Sequence, residues 1–502
     1  MATPTLVTTD AGRVRGFWRT RGGRRSAAFL GIPYAAAPVG ALRYAAPAPV
    51  APWTGVRDAT VYGATPHRSD DGLTLIPEPS IPGDETLNVN VFTPDPTGQG
   101  PKLPVLVYIH GGGFTSGSPA SPWYDGAAFN RDGVVTVTVA YRLGFDGFGT
   151  IEGAPANRGV RDWLAALEWV QRNIAAFGGD PTRVTLAGQS AGGGAVLTLL
   201  GMPGAQHLFH AAISISGAIA DVAPARAAAA SRRLAALAGV APTREGFSSV
   251  PEEHLWKLQQ AAGRPEDAGI LTAVRELLHE GLPWGPVVDG DLLTQPTVEA
   301  LAAGVGADKP LLLGTTDDEF TMVTDGLRAV LRFLPPSLPL MLFLPGRARR
   351  RAYLAANRPV RRRGSAATVG RFVTDRLFRS LVLRVADARA GAAAAAGAAA
   401  APTWTYSFSW PSPTRRWALH CLDVPFWFDC LDAVGVADVA GTAPPPALAA
   451  AMHGTAVAFV RDGDPGWMPW SEQPGTTRVF GGPASAPDVF SDGYADARPL
   501  VS

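Results

Sequence analysis

Short apolar runs alternate with helical stretches through the middle of the chain. Five runs have the composition of β-strands: Leu103 to Ile109, Val134 to Ala140, Val184 to Ala187, Ala212 to Ile215 and Leu311 to Gly314. Runs that are apolar at nearly every position are typical of strands buried on both faces of a parallel sheet. The pattern predicts an α/β fold in which a large, mostly parallel central sheet is flanked by helices.

Three other segments complete the predicted organisation. Leu6 to Thr9 and Arg13 to Trp18 alternate in the manner of strands and predict a hairpin. Apolar residues recur every three or four positions from about Asp162 to Phe177, which predicts an amphipathic helix. Residues 222 to 345 are mostly helical with proline-rich breaks. We interpret them as helical insertions that form a cap or gorge wall within a single domain spanning 1–502.

Composition narrows the possible partners. The chain has 502 residues, of which 46% are hydrophobic, so it can bury a large core and intrinsic disorder is excluded. Lys and Arg number 44 against 43 Asp and Glu, a net charge of +1 that attracts neither nucleic acid nor an anionic membrane. We expect a small-molecule substrate, no nucleic-acid or membrane partner, and a monomer or weak homo-oligomer.

Several local features support a cytoplasmic, soluble protein. The two cysteines, Cys421 and Cys430, cannot build a disulfide framework, and the first residues do not read as a signal sequence. The apolar stretch Val330 to Leu344 is broken by Arg332 and three prolines, so we do not expect it to cross a bilayer. Arg347 to Arg363 holds eight arginines. We interpret that run as a solvated helix face, with an anion site as the alternative.

A nucleophile motif lies between a predicted strand and a predicted helix. Gly188-Gln189-Ser190-Ala191-Gly192 fits G-x-S-x-G, in which a serine occupies a tight strand-to-helix turn that excludes bulky neighbours. We therefore predict Ser190 as a nucleophile. His110 to Phe114 is glycine-rich and directly follows the strand Leu103 to Ile109, where backbone amides can stabilise an oxyanion. A simple glycine turn is the alternative interpretation.

These segments resemble the type-B carboxylesterases, the carboxylesterase and cholinesterase group of the α/β-hydrolase fold, and in particular its bacterial p-nitrobenzyl-esterase-like members. The long stretch Asn173 to Gly193 carries the most specific match. Further matches occur at Gly31 to Ala35, Leu42 to Tyr44, Leu87 to Phe92, His110 to Phe114 and Tyr141 to Gly144. The resemblance implies an α/β-hydrolase fold and a Ser-Glu-His triad in that chain order.

The resemblance implies Glu319 as the triad acid, within Gly314-Thr315-Thr316-Asp317-Asp318-Glu319. Asp317 and Asp318 remain alternatives, because Phe320 stands where the family usually has glycine. A carboxylate is needed at this position to hold the imidazole tautomer and to stabilise the imidazolium.

Chain order leaves two of the eight histidines as candidate bases. His420 lies in Leu419 to Phe426, which resembles the family's His-x-x-Glu-Leu-Pro segment, although Asp423 replaces the glutamate. His453 is the alternative, and we expect it on a helix surface. Gly112, Gly113 and Ala191 are the predicted oxyanion-hole residues. Cys421 is expected to be a buried small hydrophobe.

Other family landmarks look structural. The resemblance implies ion pairs between Arg142 and Asp162 and between Arg43 and Asp84. Thr86 replaces the family's usual cysteine, so its first disulfide cannot form.

Taken together, these residues predict a serine carboxylic-ester hydrolase, a carboxylesterase, that uses neither cofactor nor metal. Its substrates are expected to be neutral, apolar esters with short to medium acyl chains. Cholinesterases of the family that the chain resembles hold the quaternary ammonium with a tryptophan in the loop that matches His67 to Thr86. This loop contains no Trp, Tyr or Phe, so choline esters should be poor substrates. The alternatives are a lipase, a thioesterase or an amidase with the same triad, or a non-catalytic cholinesterase-like binding protein.

Overall fold

Thirteen β-strands of the described residues form one sheet in the computed structural model, which describes residues 3–21, 24–66, 75–263, 270–396, 400–485 and 488–501. The strands are β1 (Pro4–Thr8), β2 (Arg13–Arg21), β3 (Arg24–Pro33), β4 (Val56–Asp58), β5 (Asn88–Thr93), β6 (Leu103–Ile109), β7 (Val135–Val139), β8 (Gly179–Gln189), β9 (Ala211–Ile215), β10 (Leu311–Thr316), β11 (Thr403–Phe408), β12 (Thr477–Phe480) and β13 (Val489–Phe490).

The strand order is β1-β2-β3-β5-β7-β6-β8-β9-β10-β11-β12-β13, with β4 beside β2. From β7 to β12 every neighbouring pair is parallel. Antiparallel pairs lie at both ends, and the predicted hairpin is the β1–β2 pair. The mostly parallel sheet is confirmed.

Helices connect and cover the strands. They are α1 (Ala127–Arg131), α2 (Gly144–Phe148), α3 (Arg158–Asn173), α4 (Ala191–Leu200), α5 (Pro224–Ala238), α6 (Arg244–Ser248), α7 (Glu252–Ala262), α8 (Ile270–Glu280), α9 (Thr297–Ala302), α10 (Arg328–Leu331), α11 (Ser337–Leu340), α12 (Arg347–Ala356), α13 (Arg358–Arg361), α14 (Ser365–Thr374), α15 (Ser380–Ala396), α16 (Val424–Trp427), α17 (Val436–Ala440) and α18 (Pro446–Asp462). A 3-10 helix spans Thr321–Leu327, and a π-helical turn at Asp375–Arg379 joins α14 to α15.

Both faces of the central sheet are buried, which explains its uninterrupted apolar runs. Along β6, Val105, Val107 and Ile109 belong to one core cluster, whereas Leu106 and Tyr108 belong to another. Successive side chains of a strand point to opposite faces, so each apolar run supplies two cores at once.

The helical segments agree with the sequence pattern in type but less closely in extent. The predicted helix at 162–177 is α3, which begins earlier, at Arg158, and continues as a 3-10 helix over Ile174–Phe177. Residues 222–345 contain α5 to α11 but also β10, a central strand of the sheet. That these helices form a cap or gorge wall stays a prediction. No helix in the described ranges is long and apolar enough to cross a membrane.

One of the two predicted ion pairs forms. Arg142 and Asp162 make a buried bidentate pair, with Nη2 to Oδ1 at 2.6 Å and Nε to Oδ2 at 2.8 Å. The pair predicted between Arg43 and Asp84 is wrong. Arg43 instead donates to the Val250 carbonyl and lies 3.9 Å from Asp146.

Candidate active site

Ser190 lies in a sharp turn between the end of β8 and the start of α4. Its φ of 59° and ψ of −123° place a non-glycine residue in a region that side chains rarely adopt, which is a sign of local strain. The turn is held because Ser190 N–H donates to the Ile215 carbonyl at 2.9 Å and the Ser190 carbonyl accepts from Gly194 and Ala218.

Small neighbours make this turn possible. A Cβ atom at Gly188 would lie 2.4 Å from the carbonyl carbon of Gly192, and one at Gly192 would lie 2.0 Å from the Ile109 carbonyl oxygen. Both obstacles are backbone atoms that cannot rotate away. The glycines of the G-x-S-x-G motif are therefore required by the close approach of β6, β8 and α4.

The glycine-rich loop after β6 lies against the same turn. A Cβ at Gly111 would lie 3.1 Å from the Ser190 Cβ, and Gly112 and Gly113 have positive φ values of 101° and 61°. The His110 ring stacks on Tyr141 at 4.6 Å, and the Tyr141 hydroxyl donates to the His110 carbonyl. These contacts position the loop beside Ser190.

Within the residues that the structure describes, the backbone amides of Gly112, Gly113 and Ala191 have no hydrogen-bond acceptor. Ala191 is the first residue of α4, where an amide has no intrahelical acceptor. Free amides on the loop and at the helix start are suited to bind a negatively charged oxygen, helped by the positive end of the helix dipole.

His420 and Glu319 form a direct contact through His420 Nδ1 and Glu319 Oε2. The Glu319 side chain is completely buried at the end of β10, where its other carboxylate oxygen accepts from Thr316 N–H at 2.8 Å. The His420 amide also donates to the Glu319 carbonyl at 3.0 Å. The carboxylate is thus held in one position and orients the imidazole.

The two neighbouring aspartates point elsewhere. Asp317 accepts from the hydroxyls of Ser407 and Ser409 at 2.6 and 2.7 Å. Asp318 lies 3.7 Å from Arg363 and 4.0 Å from Arg371. Of the three consecutive carboxylates, Glu319 is the one that contacts His420.

The imidazole of His420 packs against two phenylalanines, Phe320 and Phe378, whose ring centres are themselves 5.2 Å apart. Its ring centre is 5.0 Å from that of Phe320 and 4.9 Å from that of Phe378, and its Nε2 lies 3.2 Å from Gln189 Nε2, one residue before Ser190. Phe320, at the position where the type-B carboxylesterases usually have glycine, therefore packs against the candidate base.

Burial by itself lowers the pKa of His420, but the adjacent Cys421 and Glu319 groups favour the imidazolium and raise that pKa well above its usual range. Burial raises the pKa of the Cys421 thiol. Cys421 is a buried apolar residue, as predicted.

Two members of this neighbourhood were not predicted as functional from the sequence. Phe378 lies 42 positions before His420 and carries no motif. Asp423 is completely buried, accepts from Tyr406 Oη at 3.2 Å, and has a pKa raised to about 7 by burial and by the nearby Glu319. The replacement of glutamate by Asp423 in the His420 segment was the one available signal.

Glu78 is another carboxyl group with a raised pKa. Burial raises its pKa to about 8, against the opposing effect of a hydrogen bond that it accepts from Gly117 N–H. No sequence pattern marks it.

His453 does not lie on a helix surface, so that expectation was wrong. It is buried within α18, where Nδ1 lies 2.9 Å from the Trp427 carbonyl and Nε2 lies 3.0 Å from Asp132 Oδ2. Both ring nitrogens are engaged in packing contacts away from Ser190. Among the described residues, no group of three or more His, Cys, Asp or Glu side chains could hold a metal ion.

A PNB esterase structure superposes with a TM-score of 0.80, covering 98% of both chains at 30% identity. The Geobacillus stearothermophilus carboxylesterase EST55 gives a TM-score of 0.78 at 34% identity, covering 98% of this chain and 99% of that one. The molecule therefore has the α/β-hydrolase fold of these enzymes.

The sequence profile of the Carboxylesterase family matches residues 3–331, and the chain belongs to that family. The para-nitrobenzyl esterase of Bacillus subtilis is 38% identical over 327 residues, which are 63% of each protein. The fumonisin B1 esterase of Sphingopyxis macrogoltabida is 37% identical over 316 residues, or 60% of this chain and 54% of that protein. The chain thus aligns with less than two thirds of these relatives' lengths, and the predicted family resemblance is confirmed.

Proposed function

We propose that this protein is a serine carboxylic-ester hydrolase whose triad is Ser190, His420 and Glu319. The observation that carries the proposal is the buried contact between Glu319 and His420 Nδ1, with His420 Nε2 lying 3.2 Å from the side-chain nitrogen of Gln189, the residue before Ser190. A carboxylate on one ring nitrogen fixes the tautomer in which the other ring nitrogen can accept a proton.

The first half-reaction forms an acyl-enzyme. Ser190 Oγ attacks the ester carbonyl carbon while His420 Nε2 takes the hydroxyl proton. The carbonyl π electrons move to oxygen, which the amides of Gly112, Gly113 and Ala191 bind. The tetrahedral intermediate then collapses, the bond to the alcohol oxygen breaks, and His420 returns its proton to that oxygen.

Water completes the second half-reaction. It attacks the acyl carbon, gives a proton to His420, and passes through a second oxyanion held by the same amides. Collapse breaks the bond to Ser190 Oγ, which recovers the proton, and the carboxylic acid leaves. These steps use only covalent and acid–base chemistry from the chain's own groups.

Neutral, apolar esters are the proposed substrates. Phe320 and Phe378 pack against each other and against the His420 ring, and they offer an apolar wall rather than a charged one. The name of the Bacillus subtilis relative, para-nitrobenzyl esterase, points to an aromatic ester. An activated apolar ester such as p-nitrophenyl butyrate should therefore give a higher kcat/KM than butyrylthiocholine. Equal values for the two would contradict this substrate class.

The triad itself is tested with Ser190→Ala. The variant should lose detectable turnover of p-nitrophenyl butyrate and keep its fold, because alanine fits a turn that excludes larger side chains. A fluorophosphonate probe should add one mass adduct to the native protein, located at Ser190, and none to the variant. Continued labelling or turnover in Ser190→Ala would refute the mechanism. Matched thioester and amide substrates distinguish the alternative hydrolase classes.

A further inference from the structure

The segment from residue 326 to residue 363 combines exposed apolar residues with a one-sided charge. It contains ten arginines and no aspartate or glutamate, although the whole chain has a net charge of only +1. Eight of the ten arginines are exposed. A local excess of this size creates a positive potential at this surface that the net charge conceals.

Large apolar side chains are exposed on the same segment. Their exposed fractions lie between 49% and 74%, at Leu327, Val330, Phe333, Leu338, Met341 and Leu342. Scattered single exposures are ordinary, but six within 16 positions form a feature that calls for a partner. We call residues 326–363 the apolar-basic surface.

The exposure of these residues does not reflect poor packing of the segment, because other residues of the same segment are buried. Leu340, Leu344 and Tyr353 are buried in a cluster with residues of α14, and the Tyr353 hydroxyl donates to Asp375 at 2.7 Å. Arg350 further donates to the Leu344 carbonyl at 2.7 Å. Leu338 and Met341, which are close to the buried Leu340 in the chain, are exposed although the backbone between them is held in place.

Part of the positive charge is unpaired. Arg347, Arg351 and Arg362 are exposed and form no ion pair in the described part of the chain. Two ion pairs lie at the borders of the surface. Asp318 lies 3.7 Å from Arg363, and Asp325 lies 3.5 Å from Arg328. The free guanidinium groups are therefore available to an external anion.

From this combination we propose that the apolar-basic surface docks the protein on the surface of a membrane rich in anionic phospholipid. Exposed apolar side chains require an apolar occupant and unpaired arginines require anions. A lipid–water interface supplies both within a few ångströms of depth. Nucleic acid offers phosphates but no apolar layer at its surface, and a second copy of the same surface would bring two sets of arginines together. Docking does not depend on the proposed esterase activity.

The test is sedimentation of the full-length protein with vesicles. At 50 mM salt it should bind vesicles of phosphatidylcholine with 30% phosphatidylglycerol and should not bind vesicles of phosphatidylcholine alone. Binding should weaken strongly at 0.5 M salt, because screening shortens the reach of surface charges.

Three variants separate the contributions. Arg347→Gln, Arg351→Gln and Arg362→Gln combined should weaken vesicle binding by on the order of 100-fold, since each basic residue near an anionic surface contributes about a factor of five. The double variant Phe333→Ser with Met341→Ser should also weaken vesicle binding. Its remaining binding should be more sensitive to salt than that of the native protein. A charge-matched control removes three exposed arginines elsewhere, as Arg13→Gln, Arg25→Gln and Arg232→Gln, and should bind nearly as well as the native protein.

Turnover of dissolved p-nitrophenyl butyrate and the thermal midpoint should stay unchanged in all three variants, which separates lost docking from lost folding. Two results would overturn the proposal: no binding to anionic vesicles at low salt, or vesicle binding that the control triple variant weakens equally. An equal affinity for a duplex oligonucleotide would indicate nucleic acid as the partner instead. A dimer in solution that Phe333→Ser with Met341→Ser dissociates would indicate a second copy of the chain.

Discussion

At the scale of single residues, the state of one imidazole governs the candidate site. The proposed base must be neutral to accept a proton. Burial lowers the pKa of His420, but the adjacent Cys421 and Glu319 groups stabilise the charged form and raise that pKa. Activity should therefore fall as the pH drops through a value above the usual histidine range. The carboxylate that orients the ring is therefore also expected to raise the lowest pH at which the enzyme is active.

Glu319→Gln should change both the rate and the pH profile. Loss of the carboxylate charge lowers the pKa of His420, so the acidic limb of kcat/KM should move to lower pH. The loss of orientation should reduce kcat by on the order of 10³ to 10⁴. Rates on p-nitrophenyl butyrate between pH 5 and pH 9 measure both effects.

Asp318→Asn is the matched control, since its carboxylate is one residue away and faces Arg363 and Arg371. It should leave the position of the acidic limb unchanged and cost less than about tenfold in kcat. A larger loss in Asp318→Asn than in Glu319→Gln would transfer the role of the triad acid to the aspartate.

At the scale of secondary-structure elements, the serine turn depends on how closely β6, β8 and α4 approach one another. The Ile109 carbonyl at the end of β6 lies where a Cβ at Gly192 would have to fit. The strain at Ser190 persists because the backbone bonds to Ile215, Gly194 and Ala218 hold it on several sides. Activity should therefore be sensitive to any residue that separates these elements.

Gly192→Ala should separate them. Its methyl group would lie 2.0 Å from a backbone oxygen, so the turn must shift, with a cost of about 1–3 kcal/mol in the free energy of unfolding and a loss of at least about 100-fold in kcat. Steady-state kinetics and urea unfolding measure these effects.

Gly454→Ala provides the comparison. Gly454 lies inside α18, and a Cβ there meets no atom within 4 Å. Alanine should keep the rate and raise stability by up to about 1 kcal/mol, because it favours helix over glycine. If Gly192→Ala behaved like Gly454→Ala, the close approach would have no functional importance.

At the scale of the whole molecule, the buried pair of Arg142 and Asp162 connects distant parts of the chain. Asp162 is in α3, Arg142 follows β7, and Arg142 also donates to the Ala45 carbonyl at 2.7 Å. Burial of both side chains means that removal of one partner leaves the other charged and without compensation.

Asp162→Asn should therefore lower the free energy of unfolding by about 3–5 kcal/mol. Urea titration followed by fluorescence and by residual activity measures the change. Asp58→Asn is the control, because Asp58 pairs with Arg15 on the exposed surface, where water and salt screen the interaction. The unfolding midpoint of this control should stay close to that of the native protein, and a similar drop in both variants would contradict the argument.

Prediction from the sequence succeeded where a pattern is local. The strand-forming runs became β6 to β10, and the glycines around Ser190 coincide with places where a Cβ has no room. Prediction from the sequence failed where a residue contacts another that is distant in the chain. The sequence placed His453 on a surface, whereas its contacts with Trp427 and Asp132 bury it. Arg43 similarly found Val250 and Asp146 instead of Asp84.

The α/β class and the strand-turn-helix around Ser190 could be predicted from the sequence, because they follow from side-chain periodicity and from backbone restrictions at glycine. The order of the candidate triad residues came from the resemblance to a known family. The folded structure was needed to show which of three consecutive carboxylates reaches His420, because that depends on the direction in which the chain leaves β10. It alone also placed Phe378 beside the imidazole and left the apolar residues of 326–363 exposed, since burial is decided by contacts between elements far apart in the chain.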